Sequence, residues 1–173
     1  LIKLIDTTEL NAIVIDVKDS TGRVSFKTLD DTINKIGSVE NRISNIESLV
    51  STLHSKNIYI IGRVAVFQDP FMTKLKPEWS ITKKSDGKVW KDRKGLSFLD
   101  PANKNVWDYT VRVAKSAYAL GFDEINFDYI RYPSKFDEVF DNIKKVQLVP
   151  NVSANINLCL GSLNIYDLPE IAD

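Results

Sequence analysis

Residues 58–67 (IYIIGRVAVF) limit the fold more than any other part of the chain. Apart from Gly62 and Arg63 the run is apolar, with no polar alternation that would leave one face to water. A strand of this kind is buried on both faces, as in a parallel sheet covered by helices. What surrounds it must then supply parallel neighbours and the crossover helices that join them.

The flanking pattern does so. Residues 12–17 (AIVIDV) form a first strand, closed by the turn signal Asp19-Ser20-Thr21-Gly22. Between the two strands, Val39, Ile43, Ile46, Leu49, Val50 and Leu53 fall on one face of a helix over 39–53, with Ser38 as its N-cap. A polar excursion follows over 69–99, begun by Asp69-Pro70, which shapes the loop start. A second helix covers 103–120, with Val106, Tyr109, Val113, Ala117 and Leu120 on one face. Asp100-Pro101 stands at its start and Gly121 at its end. A strand over 124–130 and a further one over 152–160 complete the series.

This alternation is that of parallel βαβ units, in an open doubly wound sheet or a closed barrel. The chain has neither G-x-G-x-x-G nor a Walker A loop. Its polar side chains gather instead at the C-terminal ends of the strands, where barrel enzymes carry their chemistry. The expected fold class is therefore α/β, a (β/α)₈ TIM barrel in a single domain over 1–173. A complete barrel takes about 250 residues, and only four firm strands are legible, so a partial barrel or one with missing segments is expected. The opening on Leu1 rather than Met fits a trimmed version of a longer protein.

Charge and rare residues narrow the chemistry. Lys+Arg and Asp+Glu are both 23, a balance that argues against nucleic acid as the main partner. Cys159 is the single cysteine, which precludes an internal disulfide framework and a multi-cysteine metal site; a buried free thiol is expected. His54 is the single histidine and no G-x-S-x-G elbow occurs, so neither a Ser-His-Asp triad nor a His-rich metal site is expected. No metal or other cofactor is implied. No signal peptide is evident, and no run of about 18 apolar residues could span a membrane. Carboxylate chemistry remains, and glycoside hydrolysis is its commonest expression on this fold.

Parity sorts the candidates. Glu124, Asn126 and Asp128 share one side of their strand, and Ile125, Phe127 and Tyr129 the other. Three polar groups in a row are costly in a closed core but useful at a hydrated barrel mouth. Asp128, nearest the C-terminal end, is the first candidate for contact with substrate; the competing reading is a structural ion pair with Arg131 or a lysine. Asp16 and Lys18 share a parity in the first strand, with Asp19 just beyond. Lys18 could hold the carboxylates ionised and bond substrate hydroxyls; the competing reading is a solvated turn capped by Asp19. Arg63, inside an apolar run, requires a carboxylate or a substrate, and Asp16 or Asp128 would be its partner. Residues 71–95 hold Trp79 and Trp90 among eight lysines and arginines and three acids. These tryptophans either stack on a ligand, with Trp90 as a substrate-binding candidate, or anchor a long loop. Trp107 is a packing residue of the second helix.

Four blocks in order also resemble a known family: NAIVIDVKDSTG (11–22), GRVAVFQDP (62–70), LDPANKNVWDY (99–109) and GFDEINFDYIRYPS (121–134). Together they are similar to a bacterial glycoside-hydrolase-like domain family, itself distantly similar to the alpha-amylase-type barrels. The resemblance implies a barrel acting on a polysaccharide or oligosaccharide outside the cytoplasm, secreted or in the cell envelope. It implies Asp128 as the catalytic carboxylate, with Asn126 and Arg131 beside it. In VSANIN (152–157), Asn155 stands where the alpha-amylase-type pattern has an acid, a departure that leaves the general acid open.

The expected mechanism uses two carboxylates, Asp128 as nucleophile or stabiliser and Asp16, Asp19 or Glu124 as acid, with Lys18, Asp19, Arg63, Asn126, Arg131 and Trp90 binding substrate. A non-catalytic carbohydrate-binding or scaffold barrel is the competing class. A lyase or aldolase using Lys18 as a Schiff base is a third.

Overall fold

Four parallel strands, β1 (Ala12–Lys18), β2 (Tyr59–Ala65), β3 (Glu124–Asp128) and β4 (Ala154–Ile156), form one sheet in the order β1-β2-β3-β4. The structure is a computed structural model that describes residues 2–130 and the backbone of 154–156. A doubly wound sheet doubles back across its first strand. Here each strand is laid beside the one before it, as in the wall of a barrel.

Among the described residues five α-helices accompany the sheet: α1 (Ile2–Asp6), α2 (Asp31–Ile36), α3 (Ile46–Ser55), α4 (Pro70–Leu75) and α5 (Lys104–Ala119). α5 begins at the expected place, but Asn103 caps it by accepting from the Asn105 N–H. Asp100 caps the preceding turn instead, accepting from the Ala102 N–H at 2.9 Å. Gly121 ends the helix with φ +96°.

α3 is shorter than its apolar pattern predicts. Ser38 is buried rather than capping, and Asn45 is the N-cap. The backbone ahead of α3 is committed elsewhere: the Val24 N–H donates to the Ser38 carbonyl, Glu40 donates back to Val24, and Arg42 and Ile43 both donate to Ser25. Val39 and Ile43 therefore pack against the core from non-helical backbone. α1, α2 and α4 are too short to leave a periodic signal.

One face of the sheet is covered by helices. Ile15, Val17, Ile60, Val64, Ile125 and Phe127 meet Val50 and Leu53 of α3 and Val106, Tyr109, Val113 and Ala117 of α5. Gly62 allows this close approach: a Cβ there would lie 2.9 Å from both Phe122 and Val17. Among the described residues the opposite face is open. Val14 is 54% exposed and Tyr59 44%, on the side that would line a barrel.

The parity expected for β1 fails at its end. Asp16 pairs with Arg63 but Lys18 pairs with Val64, so Val17 is an extra residue in a β-bulge. Lys18 is thereby turned to the helix side. It is fully buried, with Nζ 2.6 Å from Asp69 Oδ2 and 5.4 Å from the centre of the Tyr109 ring. Asp69, equally buried, also caps α4 by accepting from the Met72 N–H. Gly22 is needed beside it. Its φ is +84°, and a Cβ would fall 1.9 Å from Asp69 Oδ1.

Between α4 and α5 the excursion folds into a small antiparallel lobe. Bridges join Ser80 to Leu99, Thr82 to Val89 and Lys91 to Ser97. The Leu99 N–H donates to the Phe67 carbonyl and Asp100 to Trp79, tying the lobe to the end of β2.

Candidate active site at the C-terminal end of the sheet

The strand register gathers the polar residues. Asp16, Arg63, Asn126 and Asn155 are successive Cα partners across β1 to β4, a single row over the sheet. One step nearer the C-terminal end, Ala65 is level with Asp128. The alternation in β3 is as its sequence implies, with Ile125 and Phe127 buried and Glu124, Asn126 and Asp128 half-buried on the open face.

Arg63 is the hub. Its Nε and Nη2 donate to the two oxygens of Asp16 at 2.6 and 3.0 Å, a bidentate pair. Its Nη1 lies 3.9 Å from Asp128 Oδ2, close enough for attraction and too far for a hydrogen bond. Hydrogen bonding to the Asp16 carboxylate raises the Arg63 pKa above its ordinary value against the effect of burial, and the charges of Asp16 and Asp128 and the Tyr129 phenol add to the rise. Asp16, Arg63 and Asp128 are 38%, 42% and 27% exposed, so a ligand can reach all three.

Asp128 is fixed by the chain that follows it. Its Oδ1 accepts from the Tyr129 N–H at 2.7 Å, leaving Oδ2 towards Arg63. Tyr129 has φ +56°, a left-handed conformation that costs an aromatic residue about 1–3 kcal/mol and concentrates at functional sites. This turn takes Tyr129 out of the alternation that would have put it beside Ile125 and Phe127. Tyr129 is the site neighbour that sequence reasoning misses, because nothing in a Tyr-Ile-Arg run announces a positive φ.

The other expected residues are dispersed. Glu124 lies level with Ile61, and the Tyr59 hydroxyl donates to its Oε2 at 3.4 Å. Four residues of strand, about 13 Å at the usual rise, separate Glu124 from Asp128. Lys18 is below the sheet in its pair with Asp69. Asp19 serves its turn: Oδ1 accepts from the Thr21 and Arg23 N–H groups and Oδ2 pairs with Arg42. Burial raises the Asp19 carboxyl, but the bonds from Thr21, Arg42 and Arg23 outweigh it and hold the pKa below the ordinary value. Asn126 stands between Arg63 and Asn155 in the row, and its buried Oδ1 has no hydrogen-bond partner among the described residues. Trp90 packs on Phe98, with ring centroids 5.8 Å apart, inside the lobe. Trp79 is set against Tyr109 and Trp107 against Phe67, both as packing residues. Arg131 and Cys159 lie outside the described residues, and of Asn155 only the backbone is described.

His54 is far from this end. Its Nε2 is 3.0 Å from Asp123 Oδ2, which also accepts from the Ile60 N–H at the start of β2. Among the described residues no three His, Cys, Asp or Glu side chains gather where they could hold a metal ion, and no helix is long and apolar enough to cross a membrane.

Comparison with other proteins adds the family. A family model described as "Putative glycosyl hydrolase domain" matches residues 1–155. A hypothetical protein from Ruminiclostridium thermocellum is 33% identical, with a TM-score of 0.81 over 90% of this chain and 87% of that one. The alpha-galactosidase of Thermus thermophilus is similar at 13% identity and TM-score 0.60, over 88% of this chain and 33% of that one. For the alpha-galactosidase of Lactobacillus brevis the figures are 13% and 0.59, over 90% and 24%. These glycosidases are TIM barrels, and at such identities the likeness concerns the fold: this α/β chain, with its parallel sheet, covers part of a barrel. It spans a third or less of either galactosidase. No curated protein sequence matches it.

Proposed function

The chain belongs to this family of glycosyl hydrolase domains, and from that premise we propose that it hydrolyses glycosidic bonds as part of a (β/α)₈ barrel, with Asp128 as the key carboxylate. The observation that carries the reading is the Asp16–Arg63–Asp128 chain across three neighbouring parallel strands, at the end where barrel enzymes act. The open inner face, with Val14 and Tyr59 exposed, supports a barrel that further strands would close.

Each residue has a distinct role. Asp128 Oδ2 faces the anomeric carbon as nucleophile or as the charge that stabilises an oxocarbenium-like transition state. Arg63 Nη1 lies across the gap from it and can donate to a sugar hydroxyl. Asp16, with both oxygens taken by Arg63, is a positioning residue that holds the guanidinium still. Asn126, half-buried beside Arg63 in the row, lines the same face of the sheet. The proton for the leaving oxygen comes from a second acid, and water supplies the hydroxyl that completes the sugar. Carboxyl groups of a glycosidase pair stand about 5–9.5 Å apart, and about 13 Å of strand rise lies between the backbone positions of Glu124 and Asp128. A polysaccharide or oligosaccharide substrate and action outside the cytoplasm belong to the same proposal, by resemblance.

The test is turnover on a panel of α- and β-linked glycosides, starting with α-galactosides, for the chain and for Asp128→Asn. Loss of a catalytic carboxylate is expected to lower kcat/KM by at least about 100-fold. Unchanged hydrolysis would remove Asp128 from the mechanism. A second reading has its own support: Asn155 continues the row at the position where a general acid is expected. Glycan binding without turnover across the panel would make the protein a carbohydrate-binding barrel.

A further inference from the structure

The net neutrality of the chain conceals a local separation of charge. Residues 80–99 hold six cations, Lys83, Lys84, Lys88, Lys91, Arg93 and Lys94, against two acids, Asp86 and Asp92, so the rest of the chain is net acidic. All six cations are exposed, and among the described residues none is paired with a carboxylate. The two acids are committed to backbone: Asp86 Oδ1 accepts from the Lys88 N–H, and Asp92 Oδ1 from Lys94 and Leu96.

The charges are carried on an ordered platform. Three antiparallel segments support them. Ser97 and Leu99 are buried, and Thr73 Oγ1 and Ser97 Oγ share a hydrogen bond. Trp90, half-buried on Phe98, lies between Lys88 and Lys91 in the chain. Like charges carried on one small lobe repel each other wherever they stand within the screening length of about 8–10 Å. That unfavourable field becomes useful when an anionic chain lies on it.

Position decides the partner. The lobe rises from the C-terminal end of β2, the strand of Arg63, and is tied there through Phe67 and Gln68. It therefore stands at the rim of the proposed mouth. We propose that the lobe binds an anionic polysaccharide, its lysines meeting the acidic groups and Trp90 a sugar face; this rests on the glycosidase reading for the identity of the polymer.

The experiment is a binding titration by fluorescence of the tryptophans. Polygalacturonate and its fully methyl-esterified form share a backbone and differ in charge. The expected result is binding of the acid form at least tenfold tighter, weakening as salt rises. In the combined variant Lys83→Gln, Lys84→Gln, Lys88→Gln and Lys91→Gln that preference is expected to fall at least tenfold, with an unchanged circular dichroism spectrum. Equal binding of the two forms, or a variant that binds as well as the parent, overturns the proposal. So does equal or tighter binding of double-stranded DNA or of phosphatidylglycerol vesicles, which would make the lobe a surface for another class of polyanion. A parent chain that binds polygalacturonate in this way but turns over no glycoside of the panel would refute the hydrolase reading alone.

Discussion

The buried pair Lys18–Asp69 joins the end of β1 to the start of α4, and its energetics can be worked from the structure. Both side chains are 0% exposed. Lys18→Met leaves the carboxylate in the core with the Met72 N–H as its remaining partner. Asp69→Asn keeps the cap, since asparagine caps helices well, but leaves the ammonium with the Tyr109 ring alone. Removing one member of a buried pair costs roughly 3–5 kcal/mol, because the other charge stays desolvated. The combined variant removes both charges and keeps the cap. Additivity would make it lose about 6–10 kcal/mol, whereas the buried-pair argument holds it below about 4. Urea unfolding followed by circular dichroism, extrapolated linearly to water, gives the three values. A combined variant that folds where a single one does not would be the extreme form of the same result. Single losses under about 1 kcal/mol, or a double loss equal to their sum, would refute the claim that the two charges form one desolvated unit.

Two further outcomes are expected. Arg63→Lys cannot hold both oxygens of Asp16 and reach towards Asp128, so it loses at least one charge-assisted bond, about 1.5–3 kcal/mol, or roughly 10- to 100-fold in kcat/KM. Kinetics on the first confirmed substrate test this, and unchanged kinetics would remove Arg63 as the hub. Burial raises the Asp30 carboxyl, yet the bonds from Arg112, Thr32 and Ile33 prevail and hold its pKa below the ordinary value. A lowered carboxylate stabilises the fold above its unfolded pKa, and that contribution goes as pH falls through the folded one. Acid titration of stability is expected to fall more gently below about pH 4 in Asp30→Asn, and an identical slope would contradict it.

The elements long enough to show a period were legible: β1, β2, α5 and β3 stand close to where apolar spacing and turn residues set them. α3 was over-extended because Val39 and Ile43 carry helical spacing while their backbone is bonded to Val24 and Ser25. Local pattern cannot show that a distant segment has claimed those N–H groups. The lobe was legible as polarity and as a local surplus of cations, while its fold was not, since that comes from bridges between residues up to 30 apart, such as Gln68 with Phe98.

The site divides along the same line. Arg63 needed a carboxylate whatever the fold, and register supplied both of those expected, Asp16 at bonding distance and Asp128 at 3.9 Å. Lys18 went astray because a parity rule assumes an unbroken ladder, and the one extra residue Val17 reverses every side chain after it. The reversal has a physical consequence for the mouth. With regular pairing, Lys18 would stand on the open face beyond Asp16, where it would compete with Arg63 for the same carboxylate. The bulge sends it below instead, where it meets Asp69 and fixes the end of β1 against α4. Arg63 is left as the cation on the open face among the described strands β1 to β3, so one guanidinium sets the positions of both Asp16 and Asp128. The feature that defeated the sequence rule is thus the one that separates structural charge from the charge a substrate would meet.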